Sequence, residues 1–246
     1  MLFRSIGPQY ARGWLTRFGF DEEKHLPYLT MALGAGSVTP MQMASAYSVF
    51  ANGGYRVNPW LITKVTEQKG KVLMESKPLG LDDSVRAIDA RNAFLMTSLL
   101  QEVTRSGTAA KAQAMLKRTD LFGKTGTTND SMDAWFAGFQ PTLAAVTWIG
   151  YDTPRKMGTN ETGGGLSLPV WIAYMEHALK GVAVMEPSVP EGVVRAGGEW
   201  FYDEYVRGAG ISSVGLEDRP GPGSVPAVLP LPPADEKKRI LDLFRN

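Results

Sequence analysis

Between residues 121 and 151 three runs of strand-forming residues follow one another with almost no chain between them, and nothing else in the sequence restricts the fold as much. The runs are residues 121–128, 133–139 and 143–151. Trp135, Phe136, Val146, Trp148 and Ile149 supply the bulk that suits a pleated surface. Parallel neighbours need a crossover of about a dozen residues or more, and Gln140-Pro141-Thr142 is far too short for one. The second and third strands are therefore expected to be antiparallel neighbours.

Helical patterns lie before and after this block. Residues 8–17 suit a short helix stopped by Gly19. A clearer helix begins at Thr39-Pro40: the threonine caps, the proline suits the first helical position, and Gln42 completes a capping box. Met43, Ala44, Tyr47, Phe50 and Ala51 then share a face, and Gly53-Gly54 ends the run. Residues 59–65 and 71–75 read as a β-hairpin around Glu67-Gln68-Lys69-Gly70. A long helix capped by Asp89 runs through Phe94, Leu95, Leu99 and Val103 to about Arg105. Gly163-Gly164-Gly165 reads as a hinge or loop. Pro169 then opens a helix with Trp171, Tyr174, Met175, Ala178 and Leu179 on one stripe, closed by Lys180-Gly181.

Past Gly181 recurrent proline and glycine leave little room for regular structure, so the packed domain is placed at residues 1–185. Residues 186–246 are expected to be a Pro/Gly-rich extension, largely disordered after about 216. Residues 234–244 suit one or two amphipathic turns carrying Ile240, Leu241, Leu243 and Phe244.

Composition removes several classes of function. A net charge of +1 gives no bulk electrostatic case for nucleic acid or an anionic membrane. Without cysteine there is no disulfide, thiolate metal site or cysteine nucleophile, which fits an oxidising compartment. His25 and His177 are the only histidines, so a zinc site or a Ser-His-Asp triad has little support; no metal or cofactor is expected. No apolar run is long enough for a signal peptide or a membrane helix, so the chain carries no targeting signal and at face value reads as soluble and cytoplasmic.

The chemistry is concentrated in Gly123-Lys124-Thr125-Gly126-Thr127-Thr128. A phosphate-binding P-loop would need a glycine where Arg118 stands, after a buried strand that Lys117-Arg118-Thr119-Asp120 cannot form. The tripeptide Lys-Thr-Gly by itself suits a solvated turn better; read as a strand, the segment carries a more specific logic. Alternation puts Thr125 and Thr127 on one face, where two hydroxyls can hold a carboxylate. Gly126 admits another backbone, and an extended peptide can add to an open edge. Lys124 supplies a positive charge, and the amide of Thr127 can point at a developing oxyanion if it lies on that edge. The segment is accordingly expected to be an edge strand, paired with residues 133–139 on one side only. Asp130 and Asp133 suit a turn and an exposed charge better than acid–base carboxylates, and Trp135, Phe136 and Trp148 suit the core better than a glycan platform.

Residues 120–130, followed by Asp133-Ala134-Trp135-Phe136-Ala137-Gly138-Phe139, closely resemble the class A penicillin-binding proteins, of which Lys-Thr-Gly is one of three motifs. Residues 31–44, Ala51-Asn52-Gly53-Gly54, and Gly163-Gly164-Gly165 leading into Pro169-Val170-Trp171-Ile172 look like the same family, in the same order. The tail ending Ile240-Leu241-Asp242-Leu243-Phe244 is similar to tails of the 1A type. The resemblance implies an α+β fold, an antiparallel sheet flanked by helices as in serine β-lactamases and D,D-peptidases, here in part. It also implies a serine D,D-transpeptidase that cross-links peptidoglycan stem peptides ending in D-alanyl-D-alanine and is acylated by β-lactams. Lys124 and Thr127 take catalytic positions; Thr125, Gly126, Thr127 and Thr128 take substrate-binding ones. For an intact member it implies a membrane anchor and a glycosyltransferase domain upstream, a place on the periplasmic face of the inner membrane, and cell-wall synthesis proteins as partners.

The other two motifs, Ser-x-x-Lys with the nucleophile and Ser-x-Asn, are absent: no serine has lysine three residues on, and none has asparagine two residues on. Both belong upstream of the point where this sequence starts, so the chain is expected to be the carboxyl-terminal part of a longer transpeptidase and inactive alone. The alternative is a non-catalytic remnant that at most binds a partner or stem peptide.

Overall fold

The computed structural model describes residues 2–77, 80 and 82–206. Helices α1 (Leu2–Ile6) and α2 (Pro8–Leu15) lead to α3 (Pro40–Ala51), and a hairpin of β1 (Lys64–Thr66) and β2 (Val72–Glu75) precedes α4 (Ala90–Arg105) and α5 (Lys111–Leu116). Then come β3 (Phe122–Thr127), β4 (Asp133–Gln140), β5 (Leu143–Gly150) and α6 (Leu168–Ala178). A second hairpin, β6 (Val193–Ala196) and β7 (Glu199–Tyr202), runs into α7 (Asp203–Val206).

The α+β class implied by the sequence is the one adopted. β3, β4 and β5 form an antiparallel meander in that order, and among the described residues no strand pairs with the outer edge of either β3 or β5. Alternation divides its side chains between two helical layers. Phe122 and Phe139 stack at 4.9 Å on the side of α3 and α4, where Leu100, Tyr47 and Phe50 pack against them. Phe136 points the other way and meets Trp171 of α6 edge-on at 4.9 Å, within a cluster that includes Ala109, Leu121, Leu168 and Met175.

Local signals set the helix ends. Thr39 Oγ1 accepts from Gln42 N at 3.1 Å while Gln42 Oε1 accepts from Thr39 N at 3.0 Å, the reciprocal box. Asp89 caps α4 by accepting from Arg91 N at 2.9 Å. Gly19, at φ 89°, ends the turn after α2.

Buried faces depart from the apolar pattern in places. α3 sits between two layers: Tyr47 and Phe50 face the sheet, but its fully buried residues are Ala46 and Val49, one step round the helix. On α4 the buried residues are Ala93, Thr97, Leu100 and Thr104, whereas Leu99 is 62% exposed. Ala93 packs with Val49 of α3 and Thr97 donates to the Phe50 carbonyl, while Leu100 meets Phe122 of β3 and Thr104 Oγ1 bonds the Leu121 carbonyl. Trp135 and Trp148 form a tilted, half-buried pair at 6.0 Å outside the buried clusters; only Phe136 of that trio is core. Tyr174 of α6 is exposed.

Two glycine-rich stretches are more regular than composition suggested. Gly163–Ser167 is a π-helical turn running directly into α6, not a hinge or loop. Beyond Gly181 the β6–β7 hairpin is formed and docks on α4: Trp200 meets Phe94 at 5.1 Å, and Arg91 binds Glu204 at 3.1 Å and lies over the Tyr202 ring. The expected disorder after 216 and the amphipathic turns of 234–244 lie outside the described residues.

Just before β3, Asp120 is fully buried. It accepts from Arg118 Nε and Nη2 at 2.9 and 2.8 Å, from Gln140 Nε2 at 3.0 Å and from Met185 N at 2.9 Å. The same guanidinium donates to the carbonyls of Val182 and Ala183 at 2.7 and 2.9 Å. The network fixes the start of β3 and the end of β4 to the segment after α6.

Candidate functional site

β3 is an edge strand: among the described residues it pairs with β4 alone, with Lys124 opposite Ala137, Thr125 opposite Phe136, Gly126 opposite Trp135 and Thr127 opposite Ala134. Thr125 and Thr127 share the face toward α6; Lys124 shares the other with Phe122. The main chain alternates as well. Thr128 N donates to Asp133 O at 3.1 Å, which makes 128 and 133 a hydrogen-bonded pair. Thr127 and Ala134 are then a non-bonded pair, and the N–H of Thr127 points to the open side. Thr125 has the same outward main-chain direction, and its carbonyl accepts from Lys124 Nζ at 2.9 Å. Among the described residues Lys124 makes no ion pair.

Both threonine hydroxyls are held from the α6 side. Thr127 Oγ1 accepts from Gly163 N at 3.0 Å. Thr125 Oγ1 lies 2.8 Å from Thr108 Oγ1, in the turn between α4 and α5, and 3.4 Å from Lys124 Nζ. The open side of β3 thus carries an ammonium, two oriented hydroxyls and an outward amide.

Residues 1–175 match the transpeptidase domain of penicillin-binding proteins. The chain belongs to that family. Penicillin-binding protein 1A of Neisseria flavescens is 44% identical over 223 residues, 89% of this chain and 28% of the relative. Its namesake from Neisseria gonorrhoeae is 46% identical over 204 residues, 82% and 25% of the two chains. The chain therefore spans roughly a quarter of the length of these curated relatives. Among solved structures, penicillin-binding protein 1A from Haemophilus influenzae superposes with a TM-score of 0.72 at 32% identity, covering 80% of this chain and 36% of that one. PonA1 from Mycobacterium tuberculosis in complex with penicillin V gives 0.58 at 26% identity, covering 75% and 53%.

Within this transpeptidase domain the residues singled out from sequence fall into two groups. Lys124, Thr125, Gly126 and Thr127 come together on β3. Thr128 lies in the turn beyond it, where its hydroxyl accepts from Asp133 N at 2.7 Å and closes the connection to β4. Asp130 pairs with Lys156 at 2.6 Å, and Asp133 accepts from Trp148 Nε1 at 2.8 Å, so both serve the turn. His177 is exposed on α6. His25 is buried edge-on to Phe20 at 5.6 Å, and that burial lowers its pKa. The described residues contain no cluster of metal ligands.

Sequence reasoning missed Thr108 and Gly163. The second had a visible signal in its glycine triplet. A Cβ at residue 163 would sit 2.3 Å from the Trp135 carbonyl oxygen and 2.4 Å from that of Gly126, so only glycine lets the π turn lie on the transpeptidase strands. The backbone that approaches Gly126 from within the domain is therefore that of Gly163. Gly163→Ala is expected to lift the turn, break the bond to Thr127 and cost about 1–3 kcal/mol. Urea unfolding checks this, and an unchanged midpoint would contradict it.

Proposed function

We propose that this chain is the carboxyl-terminal part of a serine D,D-transpeptidase that cross-links peptidoglycan, forming the carboxylate- and oxyanion-binding wall of its active site. The observation that carries the reading is the open side of β3, where Lys124, the hydroxyls of Thr125 and Thr127 and the outward N–H of Thr127 line one edge. A stem peptide ending in D-alanyl-D-alanine adds there as an extended strand, its carboxylate taken by the two hydroxyls and the charge of Lys124. The Thr127 amide faces the oxygen that gains charge when the carbonyl between the two D-alanines is attacked.

The nucleophilic serine, its lysine and the Ser-x-Asn motif belong to the upstream part of the intact protein. The serine oxygen bonds to the carbonyl carbon and D-alanine leaves with the proton. An amine on a neighbouring strand then takes the acyl group and the serine regains its proton. A β-lactam acylates the same serine by ring opening. The intact protein acts on the periplasmic face of the inner membrane. A non-catalytic remnant that at most binds a partner or stem peptide is the second reading. In-frame coding sequence for Ser-x-x-Lys and Ser-x-Asn immediately upstream would set it aside.

Thr125→Val and Thr127→Val, each made in the intact protein, test the wall. Each is expected to slow acylation by a fluorescent penicillin roughly ten- to a hundredfold, the equivalent of about 1.5–3 kcal/mol for a hydrogen bond to a charged group. Wild-type acylation rates in both variants would sink the proposal.

A further inference from the structure

We propose that Thr108 is a positioning residue for this site: its hydroxyl donates to Thr125 Oγ1 and turns the Thr125 proton outward, so that Thr125 meets a substrate carboxylate as a donor. The inference rests on reading β3 as the carboxylate-binding strand and adds a residue from a separate element. The two oxygens are 2.8 Å apart, and either hydroxyl has the geometry to donate.

The need of a bound carboxylate for a donor selects the direction. A threonine hydroxyl has one proton and two lone pairs, and an ammonium can only donate. Lys124 Nζ, 3.4 Å from Thr125 Oγ1, occupies one acceptor direction. If Thr125 gave its proton to Thr108, it would turn lone pairs toward an arriving carboxylate. With Thr108 as donor, both lone pairs of Thr125 are taken and its proton is free for the anion. Donation into an oxygen also strengthens its own O–H as a donor. Thr127 is held in the same way, because the amide of Gly163 can only donate to it. One hydroxyl is thus set by a backbone N–H and the other by Thr108.

The turn carrying Thr108 is clamped. Gly107 N donates to Glu102 O at 3.1 Å, Ala109 N to Val103 O at 3.0 Å and Ala110 N to Gly107 O at 3.1 Å. Ala109 is fully buried in the cluster beneath α6. On the far side is Gly164, where a Cβ would lie 3.3 Å from the Thr108 carbonyl oxygen and 3.8 Å from the Thr125 methyl. Thr108 cannot retreat from the strand without moving the core.

The test compares benzylpenicillin with its methyl ester, which lacks the anionic carboxylate, as acylating agents of the intact protein. Thr108→Val is expected to slow acylation by the acid about tenfold, one hydrogen bond's worth, and to leave the rate with the ester unchanged. Thr108→Ser, which keeps the hydroxyl, is expected to restore the rate. Should Thr108→Val not fold, Thr108→Ala carries the same comparison. Equal slowing with both agents would mean packing alone and would overturn the proposal, as would wild-type rates with both. Thr125→Val run in parallel separates the two ideas. If it loses the carboxylate-dependent rate and Thr108→Val does not, only the role of Thr108 fails; if it too matches wild type, the carboxylate-binding strand fails with it.

Discussion

Incubated alone with a fluorescent penicillin and then denatured, this chain is expected to show no covalent label on a gel and no mass increase. Acylation needs a nucleophile and a base to take its proton, and no serine in the sequence has the lysine spacing that supplies both. On the proposed reading the β3 wall would recognise and polarise an acyl donor, but Lys124, Thr125 and Thr127 could not replace the serine. Joined to its upstream part, the same chain is expected to label stoichiometrically, so the contrast is all or none. A stoichiometric adduct on this chain alone would mean that the chemistry lies with residues other than those assigned.

Asp120→Ala is expected to cost about 3–5 kcal/mol, the range for breaking a buried ion pair from one side. It would leave the Arg118 guanidinium, with a side chain only 12% exposed, without its counter-charge, and Met185 N and Gln140 Nε2 without an acceptor. Burial by itself would raise the Asp120 pKa. The hydrogen bonds from Arg118, Met185 N and Gln140, with the charge of Arg118, outweigh it and hold the carboxyl below its ordinary 3.8. A carboxyl whose folded pKa is depressed contributes stability that is present above its unfolded pKa and is lost as pH falls through the folded value. Wild type should therefore lose stability below about pH 4, and the variant should lose less over that interval. Urea unfolding midpoints at neutral and acid pH measure both; equal pH profiles would refute the assignment.

What could be read from sequence was local. The Thr39–Gln42 box, the Asp89 cap and the short 140–142 connection each act within a few residues, and each is present in the structure. Lys124 to Thr127 was legible as an edge strand because alternation and chemistry coincide in one hexapeptide. Thr108 was not, since its hydroxyl finds Thr125 across 17 residues of chain and nothing in Ser106-Gly107-Thr108-Ala109 announces a partner. The Asp120 network closes over 65 residues to Met185. The β6–β7 hairpin is hidden for a different reason, because in composition glycine reads only as a breaker. Gly197 and Gly198 have φ of 59° and 93°, the pair of positive values that a tight hairpin turn requires, while Pro187 and Pro190 stay outside the strands.

Among the described residues the central sheet has two unpaired edges, and they differ in how they deter unwanted company. β3 is six residues long, carries Lys124 and is interrupted by Gly123 and Gly126, features that discourage a second copy from zipping on while leaving room for one short peptide. β5 has eight residues, Leu143 to Gly150, without a charge or a proline among them. An uncharged edge of that length is what native sheets ordinarily cover, and left bare it templates growth by another strand. Among the described residues, the sheet edge more open to growth by another strand is therefore the one away from Lys124.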